Sequence, residues 1–388
     1  MKRVLGTSMA AVLTAGMAVA VALAVSAPRG AATPGWRLVA TYTPDTPYMA
    51  AVSATGAENA WALGLSGPWC TGCDLFVSHW NGKKWQTIAD WGARPPGIGG
   101  SYSNQVTGAS VAALAGGRAM IVVASTDQHL GGSWVDAVEW TGTSWSAVHR
   151  FAGSPGDVIA SGPGDVWAFE SGNATPWADH YDGKSWSRVP FPVNVTQASG
   201  SAAAGSWVTG TVAAQPARVA VLHWSKGAWR NVALPPVTVP NGDQMMPGLI
   251  APALSPASVW ATVRVGPAKG AGHVTTILLH WNGKAWTKVP VPEGLNPGSL
   301  ASDGHGGAWM TSNVMYHYSD PWMTSDAMYH YSGGRWTHDP VPVKSGYATT
   351  LQGDLELIPG TRSVLAAAEL QATPVGFPTE GAIVKYGP

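Results

Sequence analysis

The sequence predicts an all-β fold: a seven-bladed β-propeller of four-stranded antiparallel blades, its ring closed by an N-terminal strand that completes the last blade. Three observations predict it. Tryptophan recurs seven times at about fifty-residue intervals, at Trp36, Trp85, Trp145, Trp186, Trp229, Trp286 and Trp336, and one four-stranded blade needs a unit of about that length. Two further registers run ahead of these positions: an all-aromatic one at Trp80, Trp140, Tyr181, Trp224, Trp281, Tyr331 and Tyr386, and one at Trp61, Met120, Trp167, Trp207, Trp260, Trp309 and Leu365. The two ends of the repeat region are complementary fragments of one blade.

Residues 1–32 come first and stand apart. Lys2 and Arg3 precede an uncharged stretch from Val4 to Val25 and then small residues, the layout of a signal peptide or of an N-terminal anchor. Cleavage makes the protein secreted or extracellular; retention leaves it membrane-anchored by this segment. Residues 33–388 show no composition break and are read as a single propeller domain.

Within each blade the strands follow from short strings. His79-Trp80-Asn81-Gly82-Lys83-Lys84-Trp85 is echoed at His180–Trp186 and His280–Trp286; Asn-Gly and Asp-Gly supply the positive φ of a tight turn between two strands. In the first blade strand A is expected at about Met49–Ala54, B at Ala60–Leu65, C at Leu75–Trp80 and D at Lys84–Ala89. Strand A segments, such as Ile159-Ala160-Ser161-Gly162, are small and suit the crowded inner position. The blades center on 48–90, 104–150, 156–191, 196–234, 247–291, 298–341, and 347–388 with 36–42. Trp36-Arg37-Leu38-Val39 reads as a strand D without partners before it, and Leu351–Tyr386 as A, B and C without a D after it. Pairing them removes the exposed sheet edges. In the sixth blade Trp309–Tyr318 is nearly repeated by Trp322–Tyr331, and either copy fits the pairing.

The strand C to D pattern resembles that of kelch and galactose-oxidase-like propellers, in which an aromatic strand C, a turn, a strand D tryptophan and a following proline recur; the prolines here are Pro190, Pro235, Pro290 and Pro340. The chain departs from kelch at strand B, where a single Gly64, or none, replaces the family's glycine pair. It is also similar to Trp-rich secreted bacterial propellers. The resemblance spans residues 36–388 and implies fold alone.

Composition narrows the partners. Charged residues are 11% with zero net charge, against roughly 25% in soluble domains, so no basic patch exists to drive nucleic-acid binding. A membrane enters only if the N-terminal segment is uncleaved, and a monomer is expected. Cys70 and Cys73 are read as a disulfide staple within one loop.

Catalytic constellations are missing. His79, His180, His223, His280 and His330 repeat at one strand C position, which places each in its own blade as a structural group rather than converging on a metal. A galactose-oxidase cofactor needs a separated cysteine and tyrosine. Arg94, Arg150, Arg218 and Arg264 form no sialidase pattern. Asp127, Asp136, Asp243 and Glu293 fall in or beside long loops and are read as solvated surface, although two carboxylates at a suitable separation would suffice for a glycosidase. No cofactor and no metal site are expected.

Loops remain. The B–C and D–A connections are long and dissimilar and share one face, where recognition residues gather on a regular scaffold. Of 21 tryptophans, sixteen belong to the three registers and Trp177 begins a strand. Trp69, Trp91, Trp134 and Trp322 are left in or beside these loops, with Tyr102 and Tyr347 as lesser members; flat indoles there suit a sugar ring or an apolar anchor. The reading is therefore an exported, non-catalytic propeller that binds a carbohydrate or cell-surface ligand. A protein-interaction scaffold at the cell surface is the alternative, and a glycoside hydrolase or lyase the second.

Overall fold

Each tight turn fixes the register of one strand C to strand D hairpin. Asn81 Oδ1 accepts from the Lys83 and Lys84 amides at 3.1 Å, and Asp182 Oδ1 from the Lys184 and Ser185 amides at 2.9 Å. Gly82 and Gly183 follow at φ 87° and 91°, a conformation that costs glycine little. The turn leaves two aromatic side chains opposite each other, Trp80 against Trp85 and Tyr181 against Trp186. All six such hairpins carry this pair, and the strand C and strand D ends of the last blade carry it without a turn, with ring centroids 5.3–5.9 Å apart.

The computed structural model describes residues 35–42, 48–65, 75–89, 104–127, 133–152, 155–170, 176–212, 218–268, 272–293, 295–312, 327–342, 344–351, 353–372 and 376–388. The N-terminal segment 1–32, Cys70 and Cys73 lie outside them.

Seven antiparallel sheets form a seven-bladed propeller. Blade 1 is Tyr48–Gly56, Asn59–Leu65, Leu75–Trp80 and Trp85–Ala89, in the order A to D. Blade 2 runs Asn104–Leu114, Arg118–Asp127, Ser133–Trp140, Trp145–Phe151; blade 3 runs Pro155–Gly162, Asp165–Glu170, Trp177–Tyr181, Trp186–Pro190. Blade 4 runs Asn194–Ser201, Gly205–Val212, Arg218–Ser225, Ala228–Asn231; blade 5 runs Asp243–Pro252, Val259–Pro267, Thr275–Trp281, Trp286–Val289. Blade 6 is Pro297–Ser302, Ala308–Ser312, Ala327–Ser332 and Arg335–Pro340. The seventh has a split strand A, Tyr347–Thr350 and Leu355–Leu357, then Val364–Ala372 and Gly376–Tyr386, with Trp36–Tyr42 as its strand D. The N-terminal strand thus closes the ring. Strand A of blade 5 starts at Asp243, earlier than the expected 247, because its register with strand B continues from Asp243 opposite Pro267.

The duplicated segment is resolved by sharing. Trp309 of the first copy pairs with His330 of the second, so each copy supplies one strand of blade 6. The sequence between them lies outside the described residues.

The core is divided among the blade interfaces. Seven clusters of buried side chains each join one blade to the next, from Trp61 and Val77 packed with Ile121 and Val138 to Met49 and Val52 packed with Leu365 and Ile383. The third register lies at their centers: Trp61, Met120, Trp167, Trp207, Trp260, Trp309 and Leu365 are all 2% exposed or less.

The repeated histidines explain why. Each stacks on its own blade's strand B tryptophan at 4.0–4.2 Å, the rings within 20° of parallel. In blade 3, Asp165 Oδ1 accepts from Trp167 Nε1 at 2.9 Å and lies 2.8 Å from His180 Nε2; Asn59 holds Trp61 and His79 the same way. The blades without the tryptophan lack the histidine too. Met120 faces Glu139, which Arg118 Nε reaches at 2.7 Å, and Leu365 faces Lys385. The histidine is therefore the tryptophan's partner, and the clamp is structural.

Candidate functional site

The innermost strands lay out the site. In the first six blades strand A carries a register shift near its start, between Met49 and Ala51, Val106 and Gly108, Pro155 and Asp157, Val195 and Gln197, Pro247 and Ile250, and Pro297 and Leu300. The seventh breaks at the same level. A bulge bends its strand, so a ring of them shapes one end of the channel, the face of the B–C and D–A connections. Pro-Gly begins three of the bulges, at residues 155, 247 and 297.

Below the bulges, side chains of one strand A bind the next. Ser53 Oγ accepts from the Ala113 amide at 3.0 Å, Ser110 Oγ from Val158 at 3.2 Å and Gln197 Oε1 from Ile250 at 2.6 Å. Asp157 accepts from the Ala198 amide and Glu356 from Ala54. Every clasp runs from a blade to its successor and satisfies an inner-edge N–H that has no strand partner.

Three acids thereby enter the channel. Asp157, Asp354 and Glu356 line a narrow, partly open space of about 90 Å³ with Ser53, Ser110 and Gln197. Asp354 and Glu356 alternate with Leu355 and Leu357, both 6% exposed, the period-2 pattern of a strand with one polar face. Asp354 opens onto the channel yet is walled by protein, and its carboxylate meets no hydrogen-bond donor among the described residues. Burial pushes Asp157 up to about 6. Burial and the charge of Asp157 push Asp354 to about 7, and burial with the charge of Asp354 pushes Glu356 to about 8.

These shifts have a sign. The folded state holds protons that the unfolded chain has released, so the acids' contribution to stability is complete below about pH 4. It is lost as pH rises through about 6, 7 and 8. His79, His223 and His280 act the other way: burial lowers each below 6.5, so their contribution is present above pH 6.5 and is lost as pH falls. Asp354→Asn separates the two groups. Its melting temperature relative to wild type should climb between pH 5 and pH 9; a difference that stays level would show that Asp354 titrates as an ordinary surface acid.

The channel opens into a larger recess of about 390 Å³, lined by Asp157, Thr196, Gln197, Thr262 and Arg264, with Gly248, Leu249, Pro297 and Gly298. Blades 3 to 6 each contribute to it. Thr262 Oγ1 accepts from the Leu249 amide at 2.8 Å, holding the bulge of blade 5 against strand B. Thr196 is the bulged residue of blade 4 and is exposed. Arg264 Nε is buried and has no acceptor among the described residues.

Of the aromatic residues expected from sequence, the two that are described lie outside the recess. Trp134 is in strand C of blade 2, partly buried, with the Arg150 guanidinium 5.8 Å from its ring center. Tyr347 begins strand A of blade 7 under the Lys344 ammonium, 4.6 Å from its ring, and Lys344 pairs with the buried Glu380 at 2.5 Å. Neither lines the recess. Trp69, Trp91, Trp322 and Tyr102 lie outside the described residues. Asp136 is not solvated surface: it is 6% exposed inside strand C of blade 2, and Arg150 grips it at 2.7 and 2.9 Å. Burial of Asp136 is possible because the neighbouring strand supplies a matched cation. Asp243 is the first residue of a strand, Glu293 is exposed, and the side chain of Asp127 is not among those described.

Among the described residues no group of three or more His, Cys, Asp or Glu is arranged to hold a metal.

No known family profile matches the chain, and no curated protein matches it. Among solved structures it is similar to YCF48 bound to D1 peptide, at 12% identity and a TM-score of 0.51 over 94% of this chain and 100% of that one. It is also similar to the β-propeller domain of the trilobed protease from Pyrococcus furiosus, at 10% identity and 0.52 over 89% and 94%. U3-55K matches at 12% identity and 0.50 over 92% and 100%. Likeness at such identity carries the fold and not the function.

Proposed function

We propose that this propeller is an exported, non-catalytic binding protein that takes a carbohydrate in the recess at its channel mouth. The recess itself carries the reading. Its volume of about 390 Å³ falls in the range of small-ligand sites, and its carboxylate, amide, hydroxyls and guanidinium outnumber its two larger apolar residues, as a polyhydroxylated ligand requires. Trp134 and Tyr347 stand near the starts of strands on the same face, where a longer glycan would run, and the chain order puts Trp69, Trp91, Trp322 and Tyr102 in connections of the B–C and D–A classes. Export rests on Lys2, Arg3 and the uncharged stretch that follows them.

The narrow channel beneath argues against hydrolysis there. About 90 Å³ admits a few waters and no sugar ring, and two of its three acids already serve as clasps between blades.

Thr196→Trp tests the reading, because an indole on this exposed bulge fills the recess without entering a core cluster. On a broad glycan array wild type should retain a restricted set of glycans, and the variant, with unchanged melting, should lose them by about tenfold or more. Equal binding by both would move the site to the aromatic rim, and no glycan bound by wild type would end the carbohydrate reading.

A further inference from the structure

We infer that the recess selects an acidic sugar, a uronate, and that Arg264 is the residue that selects it; this rests on the carbohydrate reading of the same recess. Arg264 belongs to strand B of blade 5, between Met246 on one neighbouring strand and Thr276 on the other. Its Nε–H is buried without an acceptor among the described residues. A charged donor withdrawn from water and left unmet is unfavourable, so such a group marks either a defect or a place kept for a ligand.

Buried indole N–H groups also go unmet, as at Trp145, Trp186 and Trp229, but Arg264 Nε is the charged donor among these orphaned atoms, and other arginines show what such a charge ordinarily finds. Arg118, Arg150 and Arg188 stand on strands B and D of blades 2 and 3, and each meets an acid of its own blade: Glu139, Asp136 and Asp179. Arg264 forms no ion pair among the described residues. It is also the arginine that lines the recess.

The remaining lining narrows the ligand. The Nε edge of a guanidinium offers two parallel N–H groups, which fit the two oxygens of a planar carboxylate. Asp157 shares the recess and repels a second negative charge, which favours a single carboxylate over a phosphate dianion. Gln197 has committed its Oε1 to the Ile250 amide and keeps its NH₂ to donate, while the Thr196 hydroxyl and the Asp157 carboxylate can both accept from sugar hydroxyls. Leu249 and Pro297 are the only larger apolar members, too little for the anchor side chains of a peptide.

Calorimetric titration of the purified protein with oligogalacturonate and oligoglucuronate, beside neutral galactose and glucose oligomers of equal length, tests the assignment. Wild type should bind an acidic series about tenfold or more tightly than its neutral counterpart, the scale of one charge-assisted hydrogen-bonded pair. Arg264→Gln should erase that preference by weakening acidic binding about tenfold more than neutral binding, and Arg264→Lys should keep part of it. Because the guanidinium has no partner to lose among the described residues, Arg264→Gln should melt no lower than wild type; a clear fall would show a structural role and overturn the inference. Equal affinity for acidic and neutral series, unmoved by Arg264→Gln, would overturn the uronate anchor and leave the carbohydrate site standing. Binding of neither series would remove both. Preference for a glutamate-rich peptide over the uronates, lost in Arg264→Gln, would keep the anion anchor and overturn the sugar.

Discussion

Deleting residues 36–42 should abolish cooperative melting of the propeller or lower its melting temperature further than any single core substitution does. The strand does three jobs at once. It pairs with the last strand from Trp36 opposite Tyr386 to Tyr42 opposite Gly381. Trp36 and Leu38 pack into the interface of blades 6 and 7, the Trp36 ring 5.2 Å from that of Trp309. A bulge between Leu38 and Ala40 then turns the strand, and Val39, Ala40 and Tyr42 pack into the interface of blades 7 and 1. There the Tyr42 hydroxyl donates to Ser78 Oγ at 2.8 Å. Removing it exposes a long inner strand edge and opens two interfaces together, well beyond the roughly 0.5–3 kcal/mol of ordinary substitutions. A permutant separates closure from mere truncation. Joining Tyr386 to Trp36 through an Asn-Gly-Lys-Lys turn, copied from residues 81–84, and opening the chain before Tyr48 would give blade 7 the hairpin the other blades have. It should melt with wild type; a deletion variant that melts unchanged, or a permutant as weak as the deletion, would contradict the latch.

What the sequence makes legible here is whatever repeats. The strand D ladder and its aromatic partners mark every hairpin because each blade needs the same wedge filled, and Trp61, Trp167, Trp207, Trp260 and Trp309 mark the interfaces for the same reason. The terminal fragments could be joined by counting registers. Blade 6 shows the limit of counting: two equally good copies of one string give no local preference, and the choice falls to pairing between Trp309 and His330.

The candidate site is the opposite case. Asp157, Gln197, Asp354, Glu356 and Arg264 are departures from the repeat, and a departure in one blade gains meaning only beside its neighbours in space. Small strand A residues drew attention to crowding and away from the acids among them. Asp354-Leu355-Glu356-Leu357 alternates with period two, and Pro-Gly recurs within strand A of blades 3, 5 and 6, where bulges shape the channel mouth. The isolation of Arg264 left no such trace, because a missing partner is a fact about three dimensions.

Trp309→Ala should destabilise the folded protein by about 3–5 kcal/mol, the usual cost of emptying a buried tryptophan site. Trp309 is 1% exposed. It stacks on His330 with ring centroids 4.0 Å apart and planes 4° from parallel, and touches Tyr386 at 4.5 Å as well as Trp36. Two of these contacts belong to the closing blade, so the cavity would loosen the latch along with its own blade. His330→Phe divides the effect. It keeps an aromatic plane on Trp309 but removes the nitrogen that lies 3.0 Å from Asp303 Oδ2. Asp303 would still accept from the amides of His305 and Gly307 at 2.7 and 2.8 Å, so the loss should stay at about 1.5–3 kcal/mol, that of one hydrogen bond to a charged group. If stacking dominates, chemical denaturation will rank Trp309→Ala below His330→Phe. Equal losses would mean that the Asp303 hydrogen bond, and not the indole, holds the clamp together.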